Sequence, residues 1–298
     1  MTILPPVNPR AKFPATLRDF MNAHNISHTN ILSTNPKTDK SEVQTYILHL
    51  APADTSGFNV CPNARNCKAI CLNFAGNPVY MQAKQAARIR RTHALYDDQT
   101  LFIQTIVASI AYQLNRQPQT EPIAIRLNGT SDIAWENKPF TIDADFSRLL
   151  NVKFGLEGCF TGEWENIFAL FKHAENMMGR RLVWFYDYTK LSRNWKYCER
   201  LNYHLTFSFD GWDNQTNLRI AKRALDNGVN VAAAFNVKRG QSLPTVADFM
   251  GRELLIHDGD SSDFRPNDPH GPVIVGLRFK LPHGLPYSAA DRERFCLA

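Results

Sequence analysis

Two neighbouring stretches decide the fold: TYILHLA (Thr45–Ala51) and, seven residues later, NVCPNARNCKAICLN (Asn59–Asn73). The first mixes β-branched and aromatic residues and reads as a core strand. The second places Cys61, Cys67 and Cys71 within eleven residues, half of the chain's six cysteines. A helical pattern follows over Val79–Tyr96. A strand that feeds a cysteine-bearing loop and then a helix is the opening of a β/α unit, and the same alternation recurs down the chain.

Pro122–Leu127 is an apolar strand ending in RLNGTSD. Glu163–Met177 is an amphipathic helix, Leu182–Tyr186 a strand, Tyr203–Phe207 another, and Thr216–Asn227 a helix stopped by Gly228. Val229–Phe235, Glu253–Ile256 and Val273–Leu277 complete seven candidate strands. Continuous apolar strands separated by helices argue for a mostly parallel sheet buried on both faces. The expected fold is therefore α/β, a partial or irregular (β/α) barrel of about seven mostly parallel strands, with an open doubly wound sheet as the alternative. Residues 258–272 show no helix, and no eighth strand is evident. Residues 1–42 read as an N-terminal extension holding a short helix from Pro14 to Ala23 and a polar loop over Ser33–Glu42. Residues 43–298 read as a single barrel-like domain.

At 298 residues, with 44% hydrophobic and 21% charged residues, the chain can build a large core. No apolar run approaches the roughly 18 residues needed to cross a bilayer, and the N-terminus has no signal-peptide core, so the expectation is a cytoplasmic protein of the host cell with no membrane partner. In that reducing compartment clustered thiols hold metal or do chemistry more often than they form disulfides. The net charge of +6 permits a polyanionic partner without requiring one.

The cysteine spacing is C-x5-C-x3-C. Three thiolates from one loop can hold three corners of a [4Fe–4S] cluster. They could also give zinc three ligands, with His93, Cys198 or His204 as the fourth, although the spacing is unlike common zinc fingers. Cys61, Cys67 and Cys71 are thus the candidate metal and cofactor ligands. Polar strand ends supply the candidate catalytic residues: Arg126, Asn128, Asp132, Glu136, Asp187, Lys190 and His204. In barrels such residues converge at the C-terminal mouth, where they would bind or turn over a small polar or nucleotide substrate. The run DGDSSD (Asp258–Asp263) could hold Mg²⁺ or be a plain turn. Trp184–Tyr203 interleaves seven aromatics with Lys190, Arg193, Lys196 and Arg200, a composition suited either to single-stranded nucleic acid or to a core strand followed by an amphipathic helix. P-loop, nucleophile-elbow and HExxH signatures are absent.

NVCP with its two further cysteines, RTH (Arg91–His93), RLNGTSDIAWE (Arg126–Glu136), YDYTK (Tyr186–Lys190), NYHLTFS (Asn202–Ser208), GVNVA (Gly228–Ala232) and DGD (Asp258–Asp260) together resemble the phage gene product 88 family, from about Asn35 to Lys280. The resemblance implies an origin in bacteriophages or related mobile elements. A looser, architectural likeness is to radical S-adenosylmethionine enzymes, which carry three cysteines in the loop after the first strand of a partial barrel. That likeness implies an iron–sulfur cluster with S-adenosylmethionine as a further cofactor. The spacing differs from their C-x3-C-x2-C, and NGTSD stands where Gly-Gly-Glu would follow the second strand. The expected function is cluster binding, with enzymatic action on a nucleotide-like or other polar substrate as its extension. The alternative is a non-catalytic nucleic-acid-binding protein with a structural metal.

Overall fold

The computed structural model describes residues 7–34, 42–71, 82–117, 121–238, 240–280 and 288–297. In chain order they form α1 (Ala15–Ala23), β1 (Leu32–Ser33), β2 (Thr45–Leu48), α2 (Asn66–Ala69), α3 (Gln82–Asp97), α4 (Gln99–Arg116) and β3 (Ile123–Arg126). There follow β4 (Phe140–Ile142), α5 (Ala144–Phe154), β5 (Gly162–Trp164), α6 (Ile167–Met178), β6 (Val183–Thr189), α7 (Trp195–Arg200), β7 (Tyr203–Ser208) and α8 (Gln215–Asp226). The chain ends with β8 (Val231–Phe235), β9 (Val246–Phe249), β10 (Arg252–Asp258), β11 (Ile274–Arg278) and α9 (Ala289–Phe295). The expected helix start at Val79 and most of the loop Ser33–Glu42 lie outside the described residues.

Nine strands make one sheet in the order β1-β2-β3-β6-β7-β8-β11-β10-β9, and β4 pairs with β5 in a separate hairpin. The seven expected strands are β2, β3, β6, β7, β8, β10 and β11, and every pairing among them is parallel. The sheet is mostly parallel, as the apolar runs imply, but it is not closed. β1 and β9 pair antiparallel at its two edges, giving nine strands rather than seven. Six parallel strands, β2 through β11, follow chain order without the reversal that defines a doubly wound sheet. Right-handed crossovers between strands in that order carry their helices to one face.

The two faces separate by the period-2 alternation of strands. Ile123, Ile125, Val183, Phe185, Leu205, Phe207, Val231 and Phe235 join the main core with Phe102, Ile106, Ile110, Phe168, Phe171 and Leu225 of the helices. α1 adds Leu17, Phe20 and Met21 to that core. The opposite face carries Ala124, Tyr186 and Ala232 with much smaller apolar clusters. Several polar residues between elements are explained by helix starts: Asp98, Asp143, Asn166, Asn194 and Asn214 each accept an N–H from the first turn of the following helix. Each such cap is worth about 1 kcal/mol.

The connection from β10 to β11, expected to be helix-free, holds one 3-10 turn at Arg265–Asn267 and folds into the second face as a plug. Phe264 meets Trp184 and Tyr186 edge-on, at 6.0 and 5.7 Å between ring centroids. Arg265, fully buried, donates to the carbonyls of Gly259 and Ser262 and pairs with Asp268 at 3.2 Å. Trp184 and Tyr186 lie in the first half of β6, so the plug's aromatic contact covers the N-terminal part of that strand.

His204, the second residue of β7, lies on the plug side rather than at the mouth. Four residues separate it from Ser208 at the strand's end, about 13 Å of extended chain. Burial first, then Arg265 and His270, hold its pKa down from 6.5 to about 4. Between those values the unfolded chain binds a proton that the folded one refuses, so this residue's contribution is lost as pH falls through 6.5 to 4, by about 3 kcal/mol. Asp187 works in the opposite direction, because burial raises its pKa to about 7. The difference between wild type and His204→Asn in urea unfolding therefore isolates the histidine. The variant should lose less stability than wild type between pH 6.5 and 4, and identical pH profiles would contradict the assignment.

Candidate functional site

A solvent-open cavity of about 1200 Å³ of empty space lies at the C-terminal ends of the parallel strands. Its wall brings together Cys61, Cys67 and Cys71 with Arg126, Asn128, Asp132 and Lys190, seven of the ten residues singled out from the sequence. Glu136, Asp187 and His204 are not part of that wall. Residues that sequence reasoning did not select complete it, chiefly Ala232 and Ala234 of β8, Leu277 and Phe295. The run VAAAF carried the signal: two alanines on one face of a central strand leave room for a ligand where larger residues would fill it.

The RLNGTSDIAWE motif forms a compact knot around Asn128. Its Oδ1 accepts from Ser131 Oγ at 2.9 Å, Ile133 N at 2.9 Å and Trp135 Nε1 at 3.2 Å, and its Nδ2 donates to the Ile133 carbonyl at 3.0 Å. Gly129 passes so close to β2 that a Cβ there would strike the Ile47 side chain and the Leu48 carbonyl. Asn128 is thus a positioning residue whose amide is fully engaged. Asp187 faces the helix side of the sheet, because β6 runs on to Thr189 rather than ending at Tyr186. It accepts from Leu127 N, Asn128 N and the Tyr203 hydroxyl at 3.1, 2.9 and 3.0 Å and anchors the base of the knot.

Asp132 and Glu136 are tied to Arg193. The guanidinium donates from Nη1 to both Glu136 oxygens at 2.9 and 3.0 Å, from Nη2 to Asp132 Oδ1 and the Ile133 carbonyl at 3.0 and 3.1 Å, and from Nε to Thr189 Oγ1 at 3.1 Å. The other Asp132 oxygen accepts the Lys190 N–H at 2.6 Å. Asp132 therefore reaches the cavity with both oxygens committed, which leaves it poorly placed as a general base.

The cysteine loop is held by a residue outside the motifs considered. Asp210, fully buried just after β7, accepts the backbone N–H groups of Arg65 and Cys67 at 2.9 Å each and the Asn214 amide at 2.8 Å. Its carbonyl accepts from Asn66 Nδ2 at 2.7 Å. Cys61 Sγ accepts from Ala53 N at 3.4 Å and donates to the Thr130 carbonyl at 3.8 Å, linking the loop to the knot. No disulfide joins any of the six cysteines. Burial raises the pKa of Cys61 to about 11 and raises that of Cys67 as well.

Cations attend these thiols. Lys190 interacts with Cys67 and Cys61, whose charged forms, with those of Asp210 and Asp132, raise its pKa against the opposing effect of burial. Its ammonium donates to Ser208 Oγ at 2.7 Å. Arg88 of α3, only 3% exposed, interacts with Cys71, and its Nε and Nη1 have no hydrogen-bond partner among the described residues. Also among the described residues, no three His, Cys, Asp or Glu side chains gather closely enough to hold a metal ion as placed. His93, bonded to the Ser56 carbonyl, Cys198, buried in α7, and His204 are all absent from the cavity wall. Asp258 and Asp260 of the DGD run pair with Arg278 and, for Asp260, Lys280.

The aromatic and basic stretch Trp184–Tyr203 is the strand–helix–strand unit β6-α7-β7. Tyr186, Trp195 and Tyr203 are buried, and Arg193 is interior. No helix among the described residues is long and apolar enough to cross a membrane. No curated protein and no solved structure matches the chain at significance. The model of the gene product 88 family matches residues 24–298, nearly the whole chain and all of the cavity's elements, and the chain belongs to that family.

Proposed function

We propose that the cavity holds an iron–sulfur cluster of the [4Fe–4S] type on Cys61, Cys67 and Cys71, and that the protein is an enzyme using it on a nucleotide-like or other polar substrate. The observation that carries this reading is the pairing of thiols with cations: half-buried Lys190 beside Cys61 and Cys67, and buried Arg88 beside Cys71. A buried guanidinium with unsatisfied nitrogens is costly beside neutral thiols and well placed beside thiolates or an anionic cluster. The six parallel strands in chain order support reading the open sheet as a partial (β/α) barrel. Its cysteine loop follows the first of those strands.

The donor set fits a cluster better than a single ion. One zinc ion would need its sulfurs within about 4 Å of each other, given Zn–S bonds of about 2.3 Å. A cluster spreads its ligands over separate irons. Bound there, the group would supply electron transfer or an open iron site. This chain's own residues would hold it through the three thiolates, balance its charge with Lys190 and Arg88, and exclude water with Leu277 and Phe295. S-adenosylmethionine is a further ligand that the cavity could admit. The alternative, a nucleic-acid-binding protein with a structural metal, draws less support, since Arg193 and four of the seven aromatics, Phe185, Tyr186, Trp195 and Tyr203, are buried.

Anaerobic purification with iron and sulfide assays tests the proposal. About four irons and four sulfides per chain and absorption near 400 nm are expected, with loss of both in the Cys61→Ser, Cys67→Ser, Cys71→Ser triple variant. Zinc alone, or no metal in freshly isolated anaerobic protein, would reject it.

A further inference from the structure

Four cations line the cavity: Arg126, Lys190, Arg278 and Lys280. Among the described residues, Lys190 bonds Ser208, Arg278 is bidentate to Asp258 at 2.8 and 2.9 Å, and Lys280 pairs with Asp260 at 3.6 Å. Arg126 has no hydrogen bond or ion pair to a described residue. Its guanidinium lies over the rings of Tyr186 and Tyr188, at 5.6 and 5.3 Å from their centroids, and its buried Nε is without a partner. Asp187 and Asp263 act on it only at longer range.

Two tyrosine faces fix the plane of a guanidinium and favour its charge, but they leave its five N–H groups unused. Arginine keeps its proton, and on this half-buried side chain the buried Nε–H without a partner carries a desolvation cost that a bound acceptor would offset. Such a fork, fixed in orientation at the wall of an open cavity, suits a planar or tetrahedral anion bound through two parallel hydrogen bonds. The strand alternation explains why Arg126 is there: it shares a face with Ala124, opposite the core residues Ile123 and Ile125. The wall of the same cavity includes Ala232, Ala234, Leu277 and Phe295, with no uncommitted carboxylate among the described residues.

We propose that Arg126 docks an anionic group, a carboxylate or a phosphate, of the molecule that occupies the cavity, whose body lies against the apolar wall toward the cysteines. This rests on the reading of the cavity as a substrate site and is independent of which metal the cysteines hold.

Calorimetric titration of the full chain with inorganic phosphate, pyrophosphate and succinate tests it, using wild type, Arg126→Gln, Arg126→Lys and the exposed-surface control Lys196→Gln. Saturable binding of at least one probe is expected, weakened about tenfold or more in Arg126→Gln, less in Arg126→Lys, and unchanged in Lys196→Gln. Preference for the phosphates or for succinate identifies the anion. Equal affinity in wild type and Arg126→Gln, or no saturable binding of any probe, would overturn the proposal. Near-ultraviolet circular dichroism checks folding, and if Arg126→Gln does not fold, Arg126→Lys decides: affinity equal to wild type would reject the fork. Iron and sulfide measured on the same preparations separate the two readings, since anion binding without a cluster removes only the cluster, and a cluster without anion binding removes only the docking site.

Discussion

Replacing Arg193 by methionine should lower the unfolding free energy by about 4 kcal/mol at pH 7.5, measured by urea unfolding. The guanidinium is almost wholly buried and all five of its donors are used, three of them on Glu136 and Asp132. Methionine fills a similar volume, so a packing defect would contribute little. What remains is two carboxylates, at most a tenth exposed, whose compensating charge has gone. Losing the guanidinium destabilises their charged forms in the folded variant, and proton uptake relieves the repulsion. A raised carboxylate pKa means that the folded variant binds protons more readily than the unfolded chain, so its deficit should shrink as pH falls toward 5. Arg193→Lys keeps one charge and loses the fork, and should fall between the two. A loss below about 1 kcal/mol for Arg193→Met, or a deficit independent of pH, would show that the network does not hold the knot in place.

That network marks how far the sequence is legible. The seven parallel strands are readable because each is a short apolar run between polar segments, and burial on both faces leaves no other place for such runs. The edges are not. β1 has two residues, and β9 alternates Val246 and Asp248 with Ala247 and Phe249, a pattern too short to distinguish from loop. Closure is also not readable, because it depends on which strands pair last. β11 inserts between β8 and β10, and β9 then ends the sheet antiparallel, pairings between segments that no local pattern specifies.

The candidate site divides along the same physical lines. Arg126, Asn128, Asp132 and Lys190 lie at or just beyond the C-terminal ends of β3 and β6, where parallel topology sends such residues to one mouth. Asp187 lies inside β6 on the helix face because the strand runs three residues beyond Tyr186, to Thr189. His204 was misplaced by strand polarity, since it follows Tyr203 at the start of β7. Asp210 had a readable signal: it follows an apolar strand and precedes Asn214 and Asn217, a spacing that lets these side chains cap one another. Its partner in the cysteine loop, 143 residues earlier at Cys67, could only be seen in three dimensions.

Asp210→Ala should open the cysteine loop, speeding modification of Cys67 by a thiol reagent about 100-fold in metal-free protein. The carboxylate is the acceptor for two consecutive-turn N–H groups, those of Arg65 and Cys67, at the start of α2. A helix of four residues has almost no stability of its own, so its position depends on external bonds. Two charge-assisted bonds are worth about 3 kcal/mol together, and loss of that from a local opening equilibrium multiplies the open population about 100-fold. Asn66 still bonds the residue-210 carbonyl in the variant and Asn63 still bonds that of Lys190, so the loop should loosen without the sheet unfolding. Exposed Cys159 provides the internal standard, because its rate should not change. Asp210→Asn keeps one acceptor and should give a smaller acceleration. If Cys67 reacts at the wild-type rate in Asp210→Ala, the loop is held by something other than this carboxylate. If Cys159 accelerates equally, the effect is global. An acceleration confined to the loop would mean that a residue from β7's end sets the geometry in which the three thiols meet whatever they bind.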